Sequence, residues 1–484
     1  MSITFSTARR LPANVSVLAY GVTVEMLDAL PGGLDRKLLE RLGFNAKVGQ
    51  VQFLPSPDDR LLAAVGLGPA AGMSFEDLRQ AGAALARAAR KHRSIATDLV
   101  TVSDLERDRA TRALIEGMAL SLYRFDYKTV ETSKVKDSLS RVILVGSTAT
   151  GMKNTISEAV ALVDGVILAR NLVNEPGGSL TPPTFARRVA RIAREKGLTV
   201  RVMDEAAIKR ARLGGLLGVN RGSKHPPRFV ELTYKPTGRA TATIAFVGKG
   251  VTFDAGGLSI KPWQGMTDMK TDMGGAAAVV GAMSVLPSVA PTVRVRGYLP
   301  MTDNMLGGDA TRPGDVLTIR NGKTIEVLNT DAEGRLILAD ALSLASEAKP
   351  DAIVDLATLT GACMVALGPD IAGLMGYNDE FLVQVEQAAQ NAGERLWRLP
   401  LPEDYREMFS SKIADMQNIG GSYGGALTAG LILSEFVAEG IPWAHLDIAG
   451  PARSEKDNAE ITEGGTGFGV RTLVELARSF ETVT

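Results

Sequence analysis

Cysteine and histidine are scarce in this chain of 484 residues, which has one cysteine and three histidines. A single cysteine excludes an intramolecular disulfide and a zinc site built from several thiolates. His92, His225 and His445 lie far apart in the sequence, and none has the spacing of a helical zinc motif. Cys363 lies in an apolar stretch and is expected to be a buried structural thiol. Any bound metal ion is therefore expected to have mainly oxygen ligands.

The chain also lacks net charge and long apolar runs. Lysine plus arginine number 54, as do aspartate plus glutamate, so the formal net charge is zero. The average charge gives no reason to expect nucleic acid or an anionic membrane as a partner, and the cationic run at 87–93 is interpreted as a solvated helix end. No uncharged apolar run reaches the ~18 residues of a membrane span, and the N-terminus lacks the order of a secretory signal. We therefore expect a cytoplasmic protein with no membrane partner.

The order of apolar runs predicts an α/β protein with two domains. Residues 1–152 are expected to form a smaller N-terminal α/β domain, with strands at 15–20, 47–53, 97–102 and 141–146 and a helix at 75–90. A boundary is expected near 149–153, followed by a connecting helix and linker at 153–180. Residues 181–484 are expected to form the larger domain, with strands at 199–203, 228–234, 241–247, 293–299, 352–356 and 444–448 and helices at 274–286 and 335–347.

Seven charged residues lie among glycines in two short segments of this larger domain. Segment 247–275 carries Lys249, Asp254, Lys261 and Asp272, and segment 329–336 carries Asp331, Glu333 and Arg335. Glycine lets a backbone bend and approach a ligand closely. The first segment directly follows an apolar strand, and ligands collect at the carboxyl ends of strands in open α/β sheets. This composition indicates chemistry more than packing.

The four carboxylates favour a metal site. Each aspartate taken singly is more typical of a turn or a helix cap. Several carboxylates brought together repel one another, and a cation relieves that repulsion. Asp331 and Glu333 are two residues apart, so in an extended segment they share one side. Such a site suits Mg²⁺ or Mn²⁺, and Zn²⁺ also accepts carboxylates.

The cationic side chains leave two interpretations open. Lys249 and Lys261 can simply balance the charge of the carboxylates. Alternatively, one lysine loses its proton beside a dication and becomes a ligand, while the other stays charged and holds an oxyanion. Arg335 can pair with a carboxylate or offer a fork for a bidentate oxyanion. The residues alone do not assign these roles.

The motifs VGKGVTFDAGG, KTDMGGAA and NTDAEGRLILADAL resemble signatures of the leucyl (cytosol) aminopeptidase family. The match continues through RNLVNEP, DLATLTGA, ADMQNIGG and AHLDIAGPA, and it covers roughly residue 169 to the C-terminus. The N-terminal third resembles the family only in layout. In one departure, Ala255 stands where the family commonly has serine or threonine, at a position that is not a metal ligand.

The resemblance implies a metal-dependent exopeptidase that removes an N-terminal residue, preferably leucine or another apolar residue, from peptides with a free N-terminus. It implies a larger catalytic domain with a mixed central sheet flanked by helices, and homohexamers. Two divalent ions, Mn²⁺ or Zn²⁺, would be held by Lys249, Asp254, Asp272, Asp331 and Glu333. Lys261 and Arg335 would be catalytic residues that are not ligands, with a bicarbonate ion at Arg335. The substrate pocket would be lined by Met269, Thr358, Leu359 and Gly361.

Two other functions stay open at this point. A DNA-binding or regulatory protein on the same scaffold is weakly favoured by the basic run at 87–93 and weakly opposed by the zero net charge. A paralogue that has lost catalysis is opposed by the presence of all seven charged residues.

Overall fold

The computed structural model describes residues 3–12, 14–130, 137–146 and 151–483. The chain divides into two compact units, Met1–Asp164 with Glu455–Glu463 and Gly165–Ser454 with Gly464–Thr484. The division falls within a long helix, α5 (Met152–Asn174). The predicted boundary at 149–153 lies partly outside the described residues, and the predicted domain limits 1–152, 153–180 and 181–484 remain predictions.

The first unit is built on a mostly parallel sheet. Its strands are β1 (Thr4–Ala8), β2 (Val17–Val22), β3 (Val51–Pro55), β4 (Leu61–Gly66), β5 (Ser94–Thr97) and β6 (Arg141–Val145). They lie in the order β1-β6-β5-β2-β4-β3, and only the β3–β4 pair among them is antiparallel. The helices of this unit before α5 are α1 (Arg36–Arg41), α2 (Phe75–Ala88), α3 (Leu99–Val102) and α4 (Arg107–Leu120).

The strand predicted at 97–102 is wrong. The structure has β5 ending at Thr97 and α3 beginning at Leu99. Asp98 separates them, because its Oδ1 accepts a hydrogen bond from the Gly21 amide at 2.8 Å while its carbonyl accepts one from the Thr101 amide at 2.7 Å. A polar residue that bonds the backbone locally turns the chain even within an apolar, β-branched run.

The second unit contains the larger sheet. Its strands are β7 (Thr199–Met203), β8 (Arg228–Tyr234), β9 (Thr243–Gly248), β10 (Gly250–Asp254), β11 (Arg294–Asn304), β14 (Ala352–Ala357), β15 (Ala372–Gly376), β16 (Leu396–Arg398) and β18 (Trp443–Asp447). The order is β16-β15-β18-β14-β9-β11-β8-β7, with β10 paired to β11. The sheet is mixed, since β8–β11, β7–β8 and β15–β18 are antiparallel. The remaining short strands are β12 (Asp315–Thr318), β13 (Thr324–Val327), β17 (Met416–Gln417), β19 (Arg453–Ser454) and β20 (Gly464–Gly465).

Helices cover this sheet. They are α6 (Pro182–Glu195), α7 (Glu205–Arg210), α8 (Gly214–Asn220), α9 (Trp263–Met266), α10 (Gly274–Val289), α11 (Gly334–Glu347), α12 (Gly361–Leu367), α13 (Asp379–Ala392), α14 (Gly425–Ser434) and α15 (Val470–Ser479). Ile337 and Leu338 of α11 share a buried core with Ala245 and Val247 of β9. The predicted fold class, an α/β protein with a mixed central sheet flanked by helices, is confirmed. None of the helices in the described ranges is long and apolar enough to cross a membrane.

The central strands bring three chain segments to one edge of the sheet. β9 is parallel to β14 on one side and to β11 on the other, and β10 is parallel to β11. The carboxyl ends of parallel strands meet at the same edge. The residues that follow β9, β10 and β14 therefore gather there, and the Lys249 amide extends the ladder by donating to the Leu356 carbonyl at 3.0 Å.

In the first unit, the packing of α2 against α4 depends on a glycine. A Cβ at Gly117 in α4 would lie 2.0 Å from the Arg79 carbonyl oxygen of α2. We expect Gly117→Ala to lower the free energy of unfolding by about 1–3 kcal/mol, because the helices must move apart. Urea denaturation measures this change. Gly151→Ala, at a glycine with no atom near its added Cβ, should stay within about 0.5 kcal/mol of the parent protein; equal effects would contradict the prediction.

Candidate active site

Six of the seven predicted charged residues form ion pairs at this edge of the sheet, and Arg335 is near enough to feel the charge of Glu333. Lys249 follows β9, and Asp254 is the last residue of β10. Asp272 lies between a 3₁₀ turn, Met269–Thr271, and α10. Glu333 directly precedes α11, and Arg335 lies in its first turn. Side chains more than 80 residues apart in sequence are thus brought within contact distance.

Lys249 joins the two segments in the interior of the site. Its Nζ lies 2.7 Å from Asp272 Oδ1 and 2.8 Å from Glu333 Oε1. It also donates a hydrogen bond to the Thr358 carbonyl at 2.9 Å. All three charged side chains of this group are buried.

Lys261 joins the same segments nearer the surface. Its Nζ lies 2.9 Å from Asp254 Oδ2 and 2.6 Å from Asp331 Oδ1. The Lys261 side chain is 17% exposed and that of Asp331 31%, whereas the Asp254 side chain is 3% exposed. The two lysines therefore occupy different environments, one enclosed and one at the mouth of the site.

The predicted extended geometry of Asp331 and Glu333 is wrong. Residues 330–331 form a turn, and Glu333 has helical backbone angles, φ −82° and ψ −32°. The turn aims Asp331 at Lys261 and Glu333 at Lys249. The two carboxylates therefore contact different lysines, because the chain already enters α11 at Glu333.

Neutral side chains that the sequence reasoning missed tie the two segments together. Asn304, at the end of β11, donates from Nδ2 to Asp254 Oδ1 at 2.8 Å and to the Thr330 carbonyl at 2.9 Å. Thr330 donates from its hydroxyl to the Gly256 carbonyl at 2.6 Å and accepts at the same oxygen from the Ser259 amide at 2.8 Å. No signal in a single sequence distinguishes these residues from ordinary turn residues.

Two glycines allow this close approach. Gly256 has φ +88°, a region that favours glycine, and a Cβ there would lie 2.9 Å from Asp331 Oδ1. A Cβ at Gly334 would lie 2.8 Å from Lys249 Nζ. The glycine-rich composition therefore has a direct steric cause.

The carboxylates carry more charge than the lysines balance. Burial, reinforced by the charge of Glu333, raises the pKa of Asp254 to about 7 against the opposing effect of the lysines. Burial likewise raises the pKa of Asp272 well above its usual value. Burial alone would raise the pKa of Glu333, but the charge and hydrogen bond of Lys249 and the charge of Lys261 together outweigh burial, and the pKa is lowered. Burial lowers the pKa of Lys249, yet Asp272, Glu333 and Asp254 together raise it above its usual value.

These residues fit a divalent cation. Asp254, Asp272 and Glu333 each place a carboxylate oxygen within 4.8 Å of the others. The buried Asp272 Oδ2 has no hydrogen-bond partner among the described residues. Four carboxylates face two ammonium groups, so a cation would supply the charge that protons otherwise provide.

Arg335 is held on one side only. Its Nη1 donates to the Asn418 carbonyl at 2.8 Å, while its buried Nε has no hydrogen-bond partner within the described part of the chain. Burial lowers the pKa of Arg335 to about 10, with Glu333 and Asp447 opposing that shift. The guanidinium group stays charged at neutral pH and keeps a donor for an oxyanion.

Of the four predicted pocket residues, Thr358 contacts the charged cluster directly. Thr358 donates from its hydroxyl to Asp272 Oδ1 at 2.8 Å, and Leu359 follows it at the end of β14. Gly361 begins α12, and Met269 begins the 3₁₀ turn before Asp272. Thr358, Leu359 and Met269 are half-buried, whereas Gly361 is exposed.

Three residues outside the cluster have structural surroundings. Cys363 is buried, as predicted. His445 is fully buried in β18, with Nδ1 2.6 Å from Asp355 Oδ1, and its Nε2 has no hydrogen-bond partner among the described residues. In the basic run at 87–93, Arg87 donates to the Ile461 carbonyl at 3.0 Å.

The chain was compared with known proteins. The cytosol aminopeptidase family matches it twice, the catalytic domain over residues 167–474 and the N-terminal domain over residues 16–131. The chain belongs to the cytosol aminopeptidase family. It is a metal-dependent aminopeptidase, a hydrolase that acts on peptides. The alternative of a DNA-binding or regulatory protein receives no support from these matches.

Relatives match this aminopeptidase over nearly its whole length. A probable cytosol aminopeptidase of Alkaliphilus metalliredigens is 41% identical over 476 residues, covering 96% of this chain and 95% of that protein. One from Streptomyces avermitilis is 45% identical over 471 residues, covering 93% and 91%. The N-terminal match corrects the expectation that the first third resembles the family only in layout.

Solved structures also resemble this chain over nearly its whole length. The bottromycin maturation enzyme BotP has a TM-score of 0.88 at 42% identity, covering 96% of this chain and 99% of that one, and BotP in complex with Mn also matches. A mutant of tomato leucine aminopeptidase has a TM-score of 0.88 at 36% identity, covering 98% and 96%.

The contact between Gly334 and Lys249 gives a specific expectation. The Lys249 ammonium can move aside, so we expect Gly334→Ala to keep the fold but displace that lysine. Hydrolysis of leucine amide should fall about 10²-fold, because small misplacements at a reacting centre are costly. Steady-state kinetics measure the loss. Gly308→Ala, at a glycine with open space around it, should keep the parental rate; a parental rate for Gly334→Ala as well would refute this steric argument.

Proposed function

We propose that this aminopeptidase uses two divalent ions, Mn²⁺ or Zn²⁺, held by Lys249, Asp254, Asp272, Asp331 and Glu333. The observation that carries this proposal is the meeting of four carboxylates with too little positive charge among the described residues to balance them. When bound, such ions lower the pKa of a water molecule and polarise a carbonyl group. The complex of BotP with Mn supports a divalent ion.

The different environments of the lysines support different roles. Lys249 is enclosed between Asp272 and Glu333, where a cation would favour its neutral, ligating form. Lys261 lies at the partly exposed mouth, where it can stay charged and stabilise the oxyanion that develops on the substrate carbonyl. Substitution of each lysine in turn can test the ligand role of Lys249 and the oxyanion role of Lys261 separately.

Arg335 would be a catalytic residue that is not a metal ligand. Its unpartnered Nε and its charge suit a bicarbonate ion, which would accept a proton during hydrolysis. Met269, Thr358, Leu359 and Gly361 would line the pocket for the side chain of the N-terminal residue, preferably leucine or another apolar residue. The free amino group of a peptide substrate would be recognised by the charged centre.

We also propose a cytoplasmic homohexamer. The name cytosol aminopeptidase of the relatives supports the location. Large exposed apolar side chains in the second unit support subunit contacts, among them Trp263, Val365 and Tyr423.

Removal of one inner carboxylate tests the metal centre. Glu333→Ala should abolish hydrolysis of leucine amide and lower the Mn²⁺ content of the purified protein, because Lys249 and the cation lose a shared partner. Circular dichroism should show a retained fold. Full activity of Glu333→Ala would falsify the proposal.

The parent protein should leave an N-acetylated peptide uncleaved. Cleavage of the acetylated peptide would refute the free-amine requirement.

Lys261→Ala tests the oxyanion role. We expect kcat to fall by about 10²–10³-fold, the usual loss for one oxyanion donor, with a smaller change in KM. Steady-state kinetics at saturating Mn²⁺ separate this effect from weaker metal binding. A defect that excess Mn²⁺ fully restores would show that Lys261 acts only by balancing charge.

A further inference from the structure

Asn418, next to the short strand β17, contacts the chain segment that carries Asp331 and Glu333. Its Oδ1 accepts hydrogen bonds from the Leu328 amide at 2.9 Å and the Asn329 amide at 3.3 Å. Its Nδ2 donates to the Asn329 carbonyl at 2.6 Å and the Ala332 carbonyl at 3.2 Å. A primary amide has two donor hydrogens and two acceptor lone pairs, so this side chain is fully used on one turn.

The backbone of Asn418 makes two further contacts. Its carbonyl accepts the hydrogen bond from Arg335 Nη1, and its amide donates to the Glu326 carbonyl at 2.9 Å. Glu326 belongs to β13, which pairs with β17 and leads directly into the turn. One residue thus bonds the strand before the turn, the turn itself and the guanidinium group after it.

We propose that Asn418 is a positioning residue of the metal centre. It holds the 328–332 turn and the Arg335 guanidinium in one arrangement, so that Asp331, Glu333 and Arg335 face the cluster together. The inference rests on the proposed metal centre. Asn418 carries no charge and is neither a proposed metal ligand nor a proposed catalytic residue.

Burial makes these contacts hard to replace. Asn418 is 0% exposed, so its own amide group is shielded from water and depends on these partners. A buried polar group left unpaired is costly, and a turn can relieve that cost by shifting towards solvent. Asp331 already lies at the exposed mouth, so such a shift would withdraw it from Lys261.

The contacts from the other side do not duplicate this restraint. The Thr330 amide donates to Ser259 Oγ at 3.1 Å, which fixes the turn to the first charged segment. The Asp331 amide donates to Asn329 Oδ1 at 2.8 Å, which is internal to the turn. Neither bond reaches Arg335, so Asn418 alone among these three couples the turn to the guanidinium group.

Two substitutions test this role. Asn418→Ala removes all side-chain bonds. Asn418→Asp keeps the size and an acceptor for the Leu328 and Asn329 amides, but it places a carboxylate oxygen against the Asn329 and Ala332 carbonyls. We expect both variants to bind Mn²⁺ about 10–100-fold more weakly, as is usual when a residue that orients metal ligands is lost. The kcat at saturating Mn²⁺ should also fall, because Arg335 shifts.

Asn378→Ala is the matched control. Asn378 accepts a hydrogen bond from the Phe381 amide at 2.9 Å and caps α13. It follows β15, whose carboxyl end pairs with the start of β18, so it lies at the sheet edge opposite the metal cluster. This variant should unfold at a lower urea concentration than the parent, because a helix cap is lost, and keep the Mn²⁺ affinity and kcat of the parent.

The measurements are calorimetric titration of the metal-free proteins with Mn²⁺, urea unfolding without metal, and kinetics. Parental Mn²⁺ affinity and kcat in either folded Asn418 variant would overturn the inference, as would an affinity loss in Asn378→Ala of the same size. The parent protein and Glu333→Ala are titrated alongside. If the parent fails to bind Mn²⁺, or Glu333→Ala binds it normally, the proposed metal centre itself is wrong. If the parent binds Mn²⁺, Glu333→Ala binds it weakly and the Asn418 variants bind it like the parent, only the positioning role fails. If Asn418→Ala does not fold, Asn418→Asp decides the question.

Discussion

The structure of the site depends on one electrostatic constraint, the repulsion among four carboxylates that the sheet edge brings together. An ionised carboxylate is costly to bury unless it is paired. Two lysines provide part of the pairing, each contacting one carboxylate from each charged segment. The remaining negative charge suits the cluster to a cation. Burial and repulsion act in the same direction on Asp254 and Asp272, so a cation that displaces their protons relieves both.

The backbone around the cluster follows from the same constraint. Side chains that must lie within a few ångströms require that their chains approach closely, and Gly256 and Gly334 provide that space. Neutral amides then hold the charged groups in register without adding charge. Asn304 fixes Asp254 from the β11 side, while Asn418 fixes the turn before α11. A neutral donor suits this task, because a further cation would compete with the metal for the carboxylates.

The asymmetry between the two lysines has a simple origin in the fold. Lys249 continues β9 into the interior and is covered by α11, with Gly334 against its ammonium group. Lys261 lies in the loop after β10, where the chain has left the sheet. Equal charges in unequal surroundings can take different chemical roles, and this difference was not visible in the spacing of the residues.

The sequence by itself determined much of the fold and the membership of the site. The strands at 199–203 and 228–234 have the predicted limits, since runs rich in β-branched and aromatic residues and bounded by turn residues favour strands. The scarcity of cysteine and histidine indicated oxygen ligands, and the motifs identified the seven charged residues. Local competition was harder to predict. Asp98 ends a strand within an apolar run, and residues 330–333 turn towards a helix, because hydrogen bonds outweigh periodicity over a few residues. Only the tertiary structure decided which carboxylate faces which lysine and which neutral residues hold them. Those contacts join residues as far apart as Asp254 and Asn304, or Asn329 and Asn418, and pairings at such distances depend on the order of strands in the sheet.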